Sequence, residues 1–423
     1  MRITPWEVEG IVDYDKLIRE FGIEPFSKII DKIPNPHWLM RRGVIFGHRD
    51  YERIIDAIMN KEPWAVMSGF MPSGLPHFGH KMTMDEIIWH QSMGGKAFIA
   101  IADMEAHGVR GLSWDKTREI GYLYIKSIIA LGLKPDDAII YFQSANRHVK
   151  DLAFELSSEV NWSELKAIYG FSSETTLAKM FVTSIQAADI LHPQLKEFGG
   201  PKPVVVPVGA DQDPHLRLTR DLAARVSIFS FERIEGGVRI RSRKGSDYLK
   251  EIKKLCFECK TYAEHIDVFG DPKEIEKEVR NLEVELGGFA FIPPSSTYHR
   301  FMTGLTGGKM SSSKPESYIS LLDKPEEGAK KVMRALTGGR VSAEEQRRLG
   351  GEPEKCTVFE LFTYHILLDD DELEEVRREC KEGGILCGQC KKRAAELIQT
   401  FLKEHQEKMD SIDLDDYYII INK

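Results

Sequence analysis

Apolar and polar positions follow two rhythms along the chain. At 14–21 and 49–59 apolar residues recur at helical spacing, and Gly22 and Pro63 close the two segments. From Trp64 the pattern changes. Mostly apolar runs at 64–68, 97–102, 138–142 and 204–208 read as buried strands, and 85–91, 117–131 and 214–224 carry the helical spacing. Strands alternating with helices predict parallel βαβ units, hence an α/β, doubly wound, Rossmann-type sheet. The alternation stops near Gly236-Gly237. Residues 239–254 are basic and 274–286 are acidic and helical. Beyond about 330 only helical patterns remain, at 357–368, 371–380 and 390–409. The expected organisation is an N-terminal extension (1–60), an α/β domain (61–235), an insertion (236–296), a return to the α/β domain (297–330) and a C-terminal all-helical domain (331–423).

Composition narrows the function classes. With 42% hydrophobic and 29% charged residues the chain is globular, not disordered overall. Lys+Arg 58 against Asp+Glu 66 gives a net charge of -8, so a nucleic-acid partner would have to meet a local basic patch. Six cysteines in 423 residues are too few for a disulfide scaffold. No apolar run approaches the roughly 20 residues of a membrane helix, and the first residues lack the apolar centre of a signal peptide. A soluble, cytoplasmic protein with no membrane partner is the expectation.

Two stretches carry chemistry. Pro72-Ser73-Gly74-Leu75-Pro76-His77-Phe78-Gly79-His80 follows a buried strand and opens a helix. Such a helix start offers free N–H groups to a phosphate. His77 and His80, three apart, share a helical face and can donate to phosphate oxygens, and Gly79 lets a nucleotide approach the backbone. The ordinary alternative is a turn with two surface histidines. Gly307-Gly308-Lys309-Met310-Ser311-Ser312-Ser313-Lys314 is a glycine-flanked loop in which Lys309 could stabilise charge developing on a triphosphate. On its own that loop reads more readily as a flexible polar linker.

Taken in this order, the pair resembles the class I aminoacyl-tRNA synthetases. His77-Phe78-Gly79-His80 matches their HIGH signature, and Lys309 to Ser313 matches KMSKS except that Ser312 replaces the second lysine. The stretches 13–18, 39–43, 184–191 and 206–214 resemble the tryptophanyl-tRNA synthetase family, on its archaeal and eukaryotic branch. That likeness implies ATP-dependent activation of L-tryptophan with Mg²⁺, transfer to tRNA(Trp), and a homodimer. It assigns His77, His80, Lys309 and Ser311 to catalysis, and Gly69, Ser73, Gly79, Met310 and Ser313 to ATP. Tryptophan would meet Glu105, Gln186, Asp189 and Gln212. Asp189 stands where bacterial members accept the indole N–H, and Gln212 where the α-ammonium is held. Met67 replaces a tyrosine that lines the ring pocket in eukaryotic relatives, so that contact is not implied. A tyrosine hydroxyl would also satisfy Asp189, which keeps tyrosine–tRNA ligase as the alternative. A small-molecule nucleotidyltransferase would share the first signature but not the Lys309 loop with helices after it, and a synthetase-like binding protein would not need His77, His80 and Lys309 intact.

Two features remain. The basic run 239–254 could touch tRNA phosphates, although a solvated face is the commoner meaning of such a run. Cys356, Cys380, Cys387 and Cys390 form C-x23-C-x6-C-x2-C. Four thiolates suit a structural Zn²⁺ or a [4Fe–4S] cluster, and some members of the family carry a similar pattern around a cluster. Cys256 and Cys259 in the insertion are either a free pair or partners of Cys387 and Cys390.

Overall fold

The computed structural model describes residues 2–3, 8–9, 14–308, 310, 314–417 and 419–420. The strands of the two larger sheets are β1 (Glu24–Pro25), β2 (Ile45–Arg49), β3 (Ala65–Phe70), β4 (Lys96–Ile101), β5 (Ala138–Phe142) and β6 (Val204–Gly209), followed by β7 (Phe229–Ile234), β8 (Gly237–Ser242), β9 (Glu258–Thr261), β10 (His265–Phe269), β11 (Ser295–His299) and β12 (Ile419–Ile420). The helices used below are α1 (Phe78–Ser92), α2 (Asp103–Arg110), α3 (Trp114–Leu131), α4 (Leu177–Leu191), α5 (Asp213–Val226), α6 (Pro272–Glu285), α7 (Pro325–Arg334), α8 (Asp370–Glu382) and α9 (Cys387–Asp410).

Eight strands form one sheet in the order β12-β5-β4-β3-β6-β11-β2-β1. The six from β12 to β11 run parallel, and β2 and β1 close the edge antiparallel. The order reverses between β3 and β6, as in a doubly wound sheet. Strand periodicity builds the two faces. In β4, Ala97, Ile99 and Ile101 enter one apolar core while Phe98 and Ala100 enter the other. The first core continues into the C-terminal helices through Val358, Phe362, Ala394, Ile398 and Leu402. Helices α7 and α9 approach closely there, since a Cβ on Gly328 would lie 2.4 Å from Leu402 Cδ1.

Several elements differ from the sequence reading. The segment 1–60 supplies β1 and β2, the antiparallel edge of the central sheet. The C-terminal part is helical up to Asp410, but Ile419–Ile420 then pairs with β5 as a two-residue strand. The helix expected at 357–368 is divided: Thr357–Leu361 is α-helical and Phe362–Ile366 is one π turn. The insertion begins with β7 and is a four-stranded antiparallel sheet, β9-β10-β8-β7, covered by α6 around a core of its own. Strand β11 was invisible to hydropathy because Ser295-Ser296-Thr297-Tyr298-His299 is polar, yet all five residues are buried. Neighbouring groups satisfy the side chains of Thr297, Tyr298 and His299. Thr297 Oγ1 donates to Glu86 Oε1 at 2.6 Å, His299 Nε2 meets Glu86 Oε2, and Tyr298 Oη donates to Asp213 Oδ1 at 2.6 Å.

Packing of α3 on the sheet gives a stability test. A Cβ on Gly121 would lie 2.5 Å from Phe142 Cε1 and 2.7 Å from Ile101 Cγ2. Alanine would gain about 1 kcal/mol of helix propensity over glycine, but overpacking costs about 1–3 kcal/mol. Gly121→Ala should therefore lower the denaturant midpoint. A raised midpoint would contradict this packing.

Candidate active site

Strands β3 and β6 pair only through Ala65–Val204 and Val66–Val205. Beyond that they part, and Pro207 offers no N–H to rejoin them. Ser68 Oγ bonds Pro207 O across the widening gap at 3.2 Å. A cavity of about 520 Å³ opens there, walled by residues 67–71 on one side and 206–209 on the other. It lies at the carboxyl ends of the strands, where their order reverses, which is the ligand crevice of open α/β sheets.

Every described residue among the expected catalytic, ATP-binding and tryptophan-binding positions lines this cavity. Gly69 and Ser73 come from the end of β3 and the loop after it, His77, Gly79 and His80 from the start of α1, and Met310 from the glycine-flanked loop. Glu105 comes from α2, Gln186 and Asp189 from α4, and Gln212 from the turn after β6. Lys309, Ser311, Ser312 and Ser313 lie outside the described residues.

The start of α1 differs from the expectation of free N–H groups. Phe78 N–H donates to Ile319 O at 3.1 Å, Gly79 N–H to His77 Nδ1 at 3.1 Å, and His80 N–H to His77 O at 2.8 Å. His77 is the extended N-cap residue rather than a helical one, and His80 Nδ1 accepts from His77 N–H at 3.2 Å. This reciprocal cap uses the first-turn donors, so a ligand would meet imidazoles instead. With both Nδ1 atoms accepting, each neutral ring carries its proton on Nε2. Burial lowers His77 to about 4, and burial and then His77 hold His80 well below the usual histidine range. Both are neutral donors at physiological pH. Gly79 is needed because a Cβ would sit 2.9 Å from His77 Cε1 and 3.0 Å from His77 Nδ1. The chain after the glycine-flanked loop is tied to this cap: Leu321 N–H donates to Pro76 O at 2.9 Å, and the Tyr318 ring lies 5.0 Å from that of His77.

At the far end of the cavity, Asp189 is 4% exposed. Its Oδ1 accepts from Tyr141 Oη at 2.7 Å and its Oδ2 from Gln143 Nε2 at 2.6 Å. Burial lifts the carboxyl to about 7, against the lowering effect of these two donors, and the charges of Glu105 and Asp103 add to the rise. Glu105 is likewise raised by burial, offset by a hydrogen bond from Gln186 and the charge of Arg110. His215 Nδ1 meets Tyr169 Oη at 2.5 Å at another wall. Tyr141, Gln143 and His215 were missed in the sequence. Gln143 directly follows β5, and the strand-end position used for Gln212 was the signal that could have found it.

Cys356, Cys380, Cys387 and Cys390 line one small, separate cavity. Cys356 caps the helix at 357–361, Cys380 lies in α8, and Cys387 and Cys390 open α9. Room around them depends on glycine: a Cβ on Gly339 would lie 2.4 Å from Cys387 Sγ, and one on Gly351 2.8 Å from Cys380 Sγ. Among the described residues no three of these thiols lie within 4.8 Å of one another. Cys256 and Cys259 do not line this cavity; Cys259 packs on the insertion's own core. The basic run is largely spent in ion pairs, with Arg239 on Asp267, Arg241 on Glu232, Lys250 on Asp247 and Lys254 on Glu251.

Comparison with known proteins fits this arrangement. Residues 59–236 and 273–403 match the model of the family "tRNA synthetases class I (W and Y)", and the chain belongs to that family. Two relatives similar along the whole chain are tryptophan enzymes. The tryptophan–tRNA ligase of Archaeoglobus fulgidus is 74% identical over 420 residues, covering 99% of this chain and 100% of that one. The tryptophan–tRNA ligase of Methanosarcina acetivorans is 57% identical, with 99% of each chain covered. The crystal structure of tryptophanyl-tRNA synthetase from Aeropyrum pernix superposes with a TM-score of 0.76 at 43% identity, covering 96% of each chain.

Proposed function

We propose that the cleft activates L-tryptophan with ATP and transfers it to tRNA(Trp), the reaction of a tryptophan–tRNA ligase. The observation that carries the reading is the single cavity at the β3–β6 divergence, lined at one end by His77, Gly79 and His80 and at the other by Glu105, Gln186, Asp189 and Gln212. The full-length relatives act on tryptophan, so the tyrosine alternative is not favoured.

The chemistry follows from the two ends. ATP lies along the loop after β3, against Gly69, Ser73, Gly79 and Met310. The neutral Nε2–H groups of His77 and His80 donate to phosphate oxygens without adding a second ionisation near neutrality. The tryptophan carboxylate attacks the α-phosphate in line and pyrophosphate leaves. The protein supplies position and charge stabilisation, with no covalent nucleophile. Lys309, Ser311 and Ser313 join the phosphates from the loop, and Mg²⁺ neutralises the triphosphate when bound. Glu105, Gln186 and Gln212 take the amino-acid end, and Asp189 organises the ring end through Tyr141 and Gln143. The helices of 331–423 serve as the anticodon-binding part. The protein works as a cytoplasmic homodimer; Phe154 and Leu177, 74% and 81% exposed, are apolar side chains suited to a covered face. Among the described residues no helix is long and apolar enough to cross a membrane.

The four thiols fit a metal group, and their spacing favours a [4Fe–4S] cluster over one Zn²⁺. Tetrahedral zinc with bonds of about 2.3 Å would draw all four sulfurs to about 3.8 Å from one another, whereas in a cubane each thiolate binds a different iron. Held by Cys356, Cys380, Cys387 and Cys390, such a cluster would tie three helices together and stand apart from the reaction.

Two measurements test these readings. Tryptophan, and not tyrosine, should drive ATP–pyrophosphate exchange. Asp189, raised to about 7, is ionised above that pH and protonated below it. The KM for tryptophan should therefore fall as pH rises through about 7, with the KM for ATP flat. Asp189→Asn should raise the tryptophan KM about 10-fold, by weakening the charge-assisted hydrogen bonds that Asp189 accepts from Tyr141 and Gln143, and abolish the pH step. A pH-independent wild-type KM, or tyrosine-driven exchange, would contradict the assignment. Separately, anaerobically purified protein should be brown with about four iron atoms per chain. Cys380→Ser should lose that colour and weaken tRNA charging more than exchange. Colourless protein with four freely labelled thiols would exclude a metal group.

A further inference from the structure

The cavity's ring end contains an unsatisfied acceptor. Gln143 is 1% exposed and lines the cavity. Its amide orientation is set by chemistry: Nε2 lies 2.6 Å from Asp189 Oδ2, and only the NH₂ edge of an amide can donate to a carboxylate. Oε1 is thereby turned away from Asp189, and among the described residues it is buried without a hydrogen-bond partner. A buried acceptor left unpaired costs about 1–3 kcal/mol, so such an atom is restored by a ligand that brings a donor. Asp189 itself already receives Tyr141 on one oxygen and Gln143 on the other. Met67, on β3 at the cavity wall, brings only a thioether, a weak acceptor and no donor.

From this we infer that Gln143, and not Asp189, is the direct specificity contact: Gln143 Oε1 accepts the indole N–H of tryptophan, while Tyr141 and Asp189 are positioning residues that lock its amide. The inference rests on the tryptophan reading above. An indole N–H is donor-only, and a carbonyl oxygen is acceptor-only, so the pair is matched without any change of protonation. A site built around such a contact rejects the ring isostere that lacks the hydrogen.

The test compares L-tryptophan with β-(3-benzothienyl)-L-alanine, in which sulfur replaces the ring N–H, in ATP–pyrophosphate exchange. The wild type should prefer tryptophan by about 10–100-fold in kcat/KM. In Gln143→Met the preference should collapse to within about threefold, through the amino-acid KM, with the KM for ATP unchanged. Tyr141→Phe, which leaves Nε2 on Asp189, should keep most of the preference. Retention of the wild-type preference in Gln143→Met would overturn the inference and leave Asp189 as the acceptor. Should Gln143→Met fail to fold, the wild-type crystal complex with L-tryptophan decides: ring nitrogen within 3.2 Å of Oε1 supports the inference, and contact with an Asp189 oxygen instead overturns it. A wild type that shows no tryptophan-dependent exchange would fail the functional reading itself, an outcome distinct from either.

Discussion

The site depends on one constraint, that two neighbouring strands pair and then separate. Strands β3 and β6 share a ladder over two residues each and then lead their chains to opposite purposes. From β3 the chain enters the loop and cap that end in His77 and His80; from β6 it enters the turn that carries Gln212. Continuous pairing would close the gap in which the cavity lies. Pro207 denies the ladder a donor at the point where it must stop, and the apolar positions before it keep the two strands buried together.

Around that gap the protein places neutral donors at one end and a hydrogen-bonded buried acid at the other. Burial and the reciprocal cap fix the histidines as neutral Nε2–H donors. Their cap is joined by backbone bonds to the chain at Ile319 and Leu321, so two segments more than 240 positions apart in sequence (319 − 78 = 241) are held together. Asp189 shows the complementary device: an acid taken from water and given Tyr141 and Gln143 as donors.

The sequence was most legible where burial is apolar and local. Strands β3 to β6 are continuous apolar runs, and the two signatures sit directly after or beyond them. It was least legible where polar residues are buried. Ser295 to His299 carries no apolar run, and Glu86 and Asp213, which bond Thr297, Tyr298 and His299, come from distant helices. The first turn of α1 looked like an anion site, since nothing in the local pattern announces that Ile319 and the ring of His77 take its donors. Gln143 escaped notice for the same reason: its meaning lies in Asp189, 46 positions away. The four cysteines were readable as a set from spacing, but not the glycines at 339 and 351 that keep room beside them.

The most direct test of this account is a crystal structure with a non-hydrolysable tryptophanyl-adenylate analogue. The account predicts the phosphate beside His77 and His80, the ring between Met67 and α4, and the ligand spanning the divergence of β3 and β6. An adenylate bound elsewhere, or lying in the cavity with its ring at the histidine end, would contradict it.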